Sequence, residues 1–118
     1  MQAFTIHDLI GQHGQREKLY LEFLRVPALS AGLYRLPPGG VDPQLPHSED
    51  EIYYIVSGRA SILVGEENQQ VEAGSLIFVP AQLEHRFHSI KEELTVLVFF
   101  APAEYALART DEGRDARA

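Results

Sequence analysis

Two stretches of this 118-residue chain concentrate the side chains that could do chemistry. The first, Gly39 to Gly58, carries His47 and Glu51; the second, Gly74 to Ser89, carries His85 and His88. Imidazole nitrogens and carboxylate oxygens bind divalent first-row metals. Two neutral imidazoles and one carboxylate fill three positions around such an ion and leave others open for water, substrate or dioxygen. The chain has no cysteine, which excludes zinc-thiolate sites, disulfides and thiol nucleophiles. It also has no Gly-x-Ser-x-Gly nucleophile context, no phosphate-cradling glycine loop and no dinucleotide fingerprint.

These residues need a scaffold, and the punctuation of the chain indicates which. Gly and Pro recur at short intervals, from Gly32 through Pro37-Pro38-Gly39-Gly40 to Pro102, and the runs between them are rich in β-branched and aromatic residues. That is the pattern of an all-β sandwich or barrel. Strands are expected at Leu19 to Leu24, Ser30 to Leu36, Ile52 to Val56, Ala60 to Val64, Gln69 to Glu72, Leu76 to Val79, His85 to Ser89 and Leu94 to Phe100. One short helix is expected within Phe4 to Ile10, with Thr5 as its N-cap. With 45% hydrophobic residues, positions 1–108 fit a single domain, and the charged stretch 109–118 reads as a mobile tail.

The two glycine-bounded stretches resemble the cupin superfamily. The first cupin motif is Gly, five residues, His-x-His, three or four residues, Glu, six residues, Gly. Gly39, His47, Glu51 and Gly58 stand at those places, with Leu45 where the first histidine belongs. The second motif is Gly, five residues, Pro-x-Gly, two residues, His, three residues, Asn. Gly74, Pro80 and His85 match it, while Gln82 replaces the glycine and Ser89 the asparagine. The resemblance implies a cupin double-stranded β-helix, a jelly-roll-like antiparallel barrel. It also implies one divalent metal ion held by His47, Glu51 and His85, with the usual fourth ligand unassigned; Fe, Zn, Mn, Ni and Cu all suit these ligand types. Gln44 is next to the vacant position, but neighbours on a strand point to opposite faces.

Each residue also has a plainer reading. In Ser48-Glu49-Asp50-Glu51 the carboxylates of Glu49 and Asp50 read as a solvated acidic turn, whereas Glu51 opens the apolar run Ile52 to Val56. His85 shares a strand face with Phe87, and His88 lies on the other face. His7 and His13 read as solvent-exposed. Leu45, Gln44, Tyr53, Phe87 and Tyr34 are weaker candidates for a pocket lining, and Arg35, Tyr54 and Arg59 weaker still.

The function expected from the resemblance is a metal-binding cupin that holds a small organic ligand, with dioxygenase or isomerase/lyase chemistry if it is an enzyme. The alternatives are a non-catalytic small-molecule binding or sensing module and a degenerate, metal-free cupin. Seventeen acidic residues against ten basic ones give a net charge of −7 without any Lys/Arg cluster, so nucleic acid is not an expected partner. No long apolar run or leader-type N-terminus is evident, so a cytoplasmic location without membrane association is expected. In Leu94 to Phe100 both alternating sets are largely apolar. A strand covered on both faces suggests a homodimer.

Overall fold

A computed structural model describes residues 1–14 and 19–107; the expected tail 109–118 lies outside the described residues. Helix α1, Ile6–His13, is followed by six strands: β1 Tyr20–Val26, β2 Leu29–Leu36, β3 Asp50–Val64, β4 Glu67–Glu72, β5 Leu76–Val79 and β6 His85–Ala101. All pairings are antiparallel, in the order β1-β2-β6-β3-β4, with β5 also on β3. Among the described residues no helix is long and apolar enough to cross a membrane.

Thr5 caps α1 as its sequence suggests, its hydroxyl accepting from the Asp8 amide at 3.1 Å. The helix begins one residue after this cap and runs to His13, beyond the expected end at Ile10. His13 departs from its expected exposure. It is 8% exposed, and its Nε2 bonds the Leu19 carbonyl, so the ring closes the helix onto the start of the sheet.

The main difference from the expected strands is that two pairs of them fuse. Ile52 to Val56 and Ala60 to Val64 are halves of β3, and His85 to Ser89 and Leu94 to Phe100 are halves of β6. Gly58 marks a bend here, not a turn. Its φ of +100° is unfavourable for other residues, and a Cβ there would stand 2.2 Å from the Glu93 carbonyl oxygen. Successive register shifts between Ile55 and Ser61 carry the bend through the ladder with β6. The first half of β3 pairs with β5 and the late part of β6; the second half pairs with β4 and the early part. Each long strand therefore serves two parts of the barrel.

Inward-facing Tyr53, Ile55, Ile62, Phe87, Leu94, Val96, Val98 and Phe100 fill the core with Tyr34 and Leu36 from β2. On the opposite face of the sheet, Leu21, Ala31 and Leu33 are buried outside this cluster, where α1 lies against β1 and β2 and supplies Leu9. Helix α1 does not reach β3 and β5. There Ile52 is paired with Phe78 and Tyr54 with Leu76, and all four are exposed; Phe99 and Leu97 beside them on β6 are half-buried.

Candidate metal centre

The barrel positions its ligand-type side chains from three places. His47 ends the irregular segment before β3, Glu51 is the second residue of β3 and His85 the first of β6. Two backbone contacts align the segments: the Gln82 amide donates to the His47 carbonyl at 2.7 Å, and the Ala81 amide to Asp50 Oδ1 at 2.8 Å. Across the sheet Glu51 faces Val79 and Phe100, and His85 faces Val64. These three strand partners are apolar. His47, Glu51 and His85 are 5%, 2% and 2% exposed.

One ligand atom from each residue lies within 4.8 Å of the other two. His85 Nε2 is 2.9 Å and His47 Nδ1 3.3 Å from Glu51 Oε1. Although close, these contacts lack hydrogen-bond geometry. His47 Nδ1, His85 Nε2 and both Glu51 oxygens are buried without hydrogen-bond partners. Polar atoms in such a state cost free energy unless something satisfies them. A divalent cation suits this donor set, two imidazoles and a carboxylate. The far side of each ring is engaged, as for metal-bound histidines generally: His85 Nδ1 bonds the Leu83 carbonyl at 3.0 Å, and His47 Nε2 is 3.4 Å from Glu104 Oε2.

Burial alone would lower the His47 pKa, but the Glu104 and Glu51 carboxylates outweigh it and raise the ring from 6.5 to about 9. Glu51 shows the reverse balance. Its burial would raise the carboxyl, and the His47 and His85 rings overcome that and hold it below the usual carboxylate value. Burial pushes the Tyr53 phenol well above 10, and the charges of Glu51 and Asp42 add to it.

Residues 32–101 match the family described as cupin domain. The chain belongs to the cupin family. An uncharacterised protein of Streptomyces coelicolor is 48% identical over 104 residues, covering 88% of this chain and 99% of that one. Among solved structures, the cupin resembles the DMSP lyase DddQ of Ruegeria pomeroyi with a TM-score of 0.60 and 26% identity, covering 64% of this chain and 39% of the lyase. It resembles a cupin 2 conserved barrel domain protein of Rhodopseudomonas palustris with a TM-score of 0.63 and 23% identity, over 75% and 66% of the two chains. TT1209 of Thermus thermophilus matches with a TM-score of 0.70 and 22% identity, over 87% and 99%.

This cupin tolerates its motif substitutions in different ways. Gln82 adopts φ +67° and Ser89 φ +52°, so the backbone at Gln82 keeps a conformation that suits the replaced glycine. Leu45, considered for the pocket, is instead 48% exposed, because residues 41–47 form no strand that would turn it inward. Gln44 is engaged elsewhere: its Oε1 accepts from the Tyr53 hydroxyl at 3.1 Å and its Nε2 donates to Asp42 Oδ2 at 2.9 Å. Tyr34 and Gln44 line a cleft beside His47, Phe100 and Glu104, whose free volume of about 20 Å3 is room for one water. Tyr53 and Phe87 are core residues with ring centroids 4.9 Å apart, and Tyr53 lies 6.1 Å from the His85 ring. His88 bonds Asn68 and Ser89, away from the site. Tyr54 and Arg59 face solvent, and Arg35 pairs with Glu93.

Three buried carboxylates escaped the sequence reading. Asp42 accepts from the Tyr34 hydroxyl, the Gln44 amide and side chain, and the Phe87 amide, tying the His47 loop to β2 and β6. Glu49, read as part of a solvated turn, is 1% exposed and receives the amides of Tyr105 and Leu107. One signal could have found it. The burial alternation of β3 extends backwards through Glu51 and Glu49 to His47, which puts Glu49 on the buried side. Glu104, 2% exposed, carried no such signal.

Proposed function

We propose that this cupin holds a divalent metal ion through His47, Glu51 and His85 and binds a small, oxygen-bearing organic molecule to it. The observation that supports this reading is the set of buried, mutually facing nitrogen and oxygen atoms that no hydrogen bond satisfies. A metal there supplies Lewis-acid polarisation of a bound carbonyl or carboxylate. The protein's part is to fix the two rings from behind and to exclude bulk water with Phe100, whose ring centroid is 4.8 Å from that of His47. Lyase or isomerase chemistry agrees best with a Lewis-acid site in an apolar wall, and one of the structural neighbours is named as a lyase.

A second reading has its own support. His47, raised to about 9 between two carboxylates, is a buried ion network that could hold the site together without metal. Elemental analysis of purified protein separates the two. His47→Ala and His85→Ala should each remove most of the bound metal while the barrel still melts cooperatively; full metal content in either variant contradicts the assignment. Turnover assays on chelating small acids, before and after EDTA treatment, then separate an enzyme from a binding module.

We also propose that two copies pair through the outer face of β3 and β5. Ile52, Tyr54, Leu76 and Phe78 are exposed side by side on paired strands, and an apolar patch of this kind marks a protein–protein contact site.

A further inference from the structure

We propose that Glu104 is the carboxylate that positions His47 for the metal, which makes the segment 102–107 a working part of the site. This rests on the metal reading above and deepens it. Glu104 lies beyond the stretch that matches the cupin family, and neither glycine-bounded motif contains it.

The argument begins with the shape of an imidazole. Its two nitrogens point away from each other, so a ring that binds a metal through one must present the other to something else. On one side of His47 stand Glu51 and, across from it, His85; on the other, 3.4 Å from Nε2, stands Glu104 Oε2. Turning the ring over would put carbons, Cδ2 and Cε1, in place of the nitrogens and leave both carboxylates facing C–H groups, so only the observed orientation serves both sides. Glu104 is therefore on the wrong side to ligate the same ion and on the right side to accept the far N–H. The Leu83 carbonyl does the same for His85. A carboxylate behind the ring fixes its tautomer and orientation and makes the metal-facing nitrogen a better donor.

Glu104 is also held too firmly to be there by accident. Its amide donates to Ser30 Oγ at 2.8 Å, and its carbonyl accepts from Arg25 Nη2 at 2.7 Å. The Ala103 amide reaches the Pro27 carbonyl at 3.3 Å, and Glu49 accepts from Tyr105 at 2.6 Å and Leu107 at 2.9 Å. Glu49 is two residues from His47. The loop that carries the histidine thus grips the segment that carries its carboxylate, and the carboxylate faces the histidine in return. With Leu45 turned to solvent, the site has one ligand fewer than the family pattern provides. A more basic His47 offsets part of that loss.

The test is a Zn(II) titration of EDTA-stripped protein against a chromophoric chelator, comparing wild type with Glu104→Ala and Glu104→Gln. Glu104→Ala should weaken Zn(II) binding about 10- to 100-fold. Glu104→Gln, whose amide oxygen still accepts a hydrogen bond, should lose less and keep a cooperative melting transition in the metal-free state. Nitrogen-15 NMR of the Zn(II)-loaded protein adds a readout that a merely structural role would not move. Wild-type His47 should carry its proton on the nitrogen facing Glu104, and Glu104→Gln should exchange that proton faster with solvent. Zn(II) binding by both variants as tight as wild type overturns the role of Glu104 and leaves the metal reading standing. A wild type that takes up no Zn(II) overturns both.

Discussion

At the residue scale the site is a contest for His47. In the metal-free protein Glu104 and Glu51 hold its proton to about pH 9, against 6.5 for an ordinary imidazole. A pKa raised in the folded state gives stability that is full below 6.5 and is lost as the pH rises through 9. A metal needs the ring neutral, so loading competes with that proton and strengthens over the same interval. Melting curves should therefore show opposite trends. EDTA-treated protein should melt several degrees lower at about pH 9.5 than at pH 6, while the additional stabilisation by Zn(II) should grow between those values. If the two series stay parallel, His47 does not link proton and metal. The buried carboxylates Asp42, Glu49 and Glu104 were not legible because a carboxylate's type says nothing of its surroundings. Glu49 and Asp50 are neighbours of similar composition; one is 1% exposed and bonds the C-terminal segment, and the other stands at the surface.

At the scale of elements, the two long strands decide whether the site assembles. Glu51 is near the start of β3 and His85 at the start of β6, and the ladder between these strands passes through the bend at Gly58. Gly58→Ala would place a methyl group 2.2 Å from the Glu93 carbonyl oxygen and hold alanine at φ +100°. Backbone strain of order 1–3 kcal/mol adds to that clash. Urea unfolding should show a loss of about 3 kcal/mol or more, among the larger effects of a single substitution. A loss under about 0.5 kcal/mol would mean that the bend relaxes at little cost. Strand content was readable from β-branched runs and turn residues, since both are local properties. That Gly58 bends one strand where a turn was expected was not readable, because a positive φ serves either structure and the pairing with β6 selects between them.

At the scale of the whole molecule, the face that α1 leaves uncovered sets the predicted assembly. The helix shields Ala31 and Leu33, while Ile52, Tyr54, Leu76 and Phe78 on the same sheet surface stay open. Light scattering after size exclusion should give the mass of a dimer. Phe78→Asp, at a side chain 59% exposed, should shift the protein to monomer without lowering its metal content. A wild type that runs as a monomer at tens of micromolar would remove the pairing proposal and leave the site unaffected.

What the amino-acid sequence determined alone was the all-β class, and its resemblance to the cupin motifs singled out His47, Glu51 and His85, whose ligand atoms the fold brings within 4.8 Å, because strand alternation and motif spacing are both written in one dimension. The tertiary structure alone decided that Leu45 points to solvent, that Gln44 is bound to Tyr53 and Asp42, and that Glu104 stands behind His47. The reason is physical: burial and charge pairing depend on which distant segments pack together, and residues 102–107 are held at the site by contacts with Pro27, Ser30, Arg25 and Glu49.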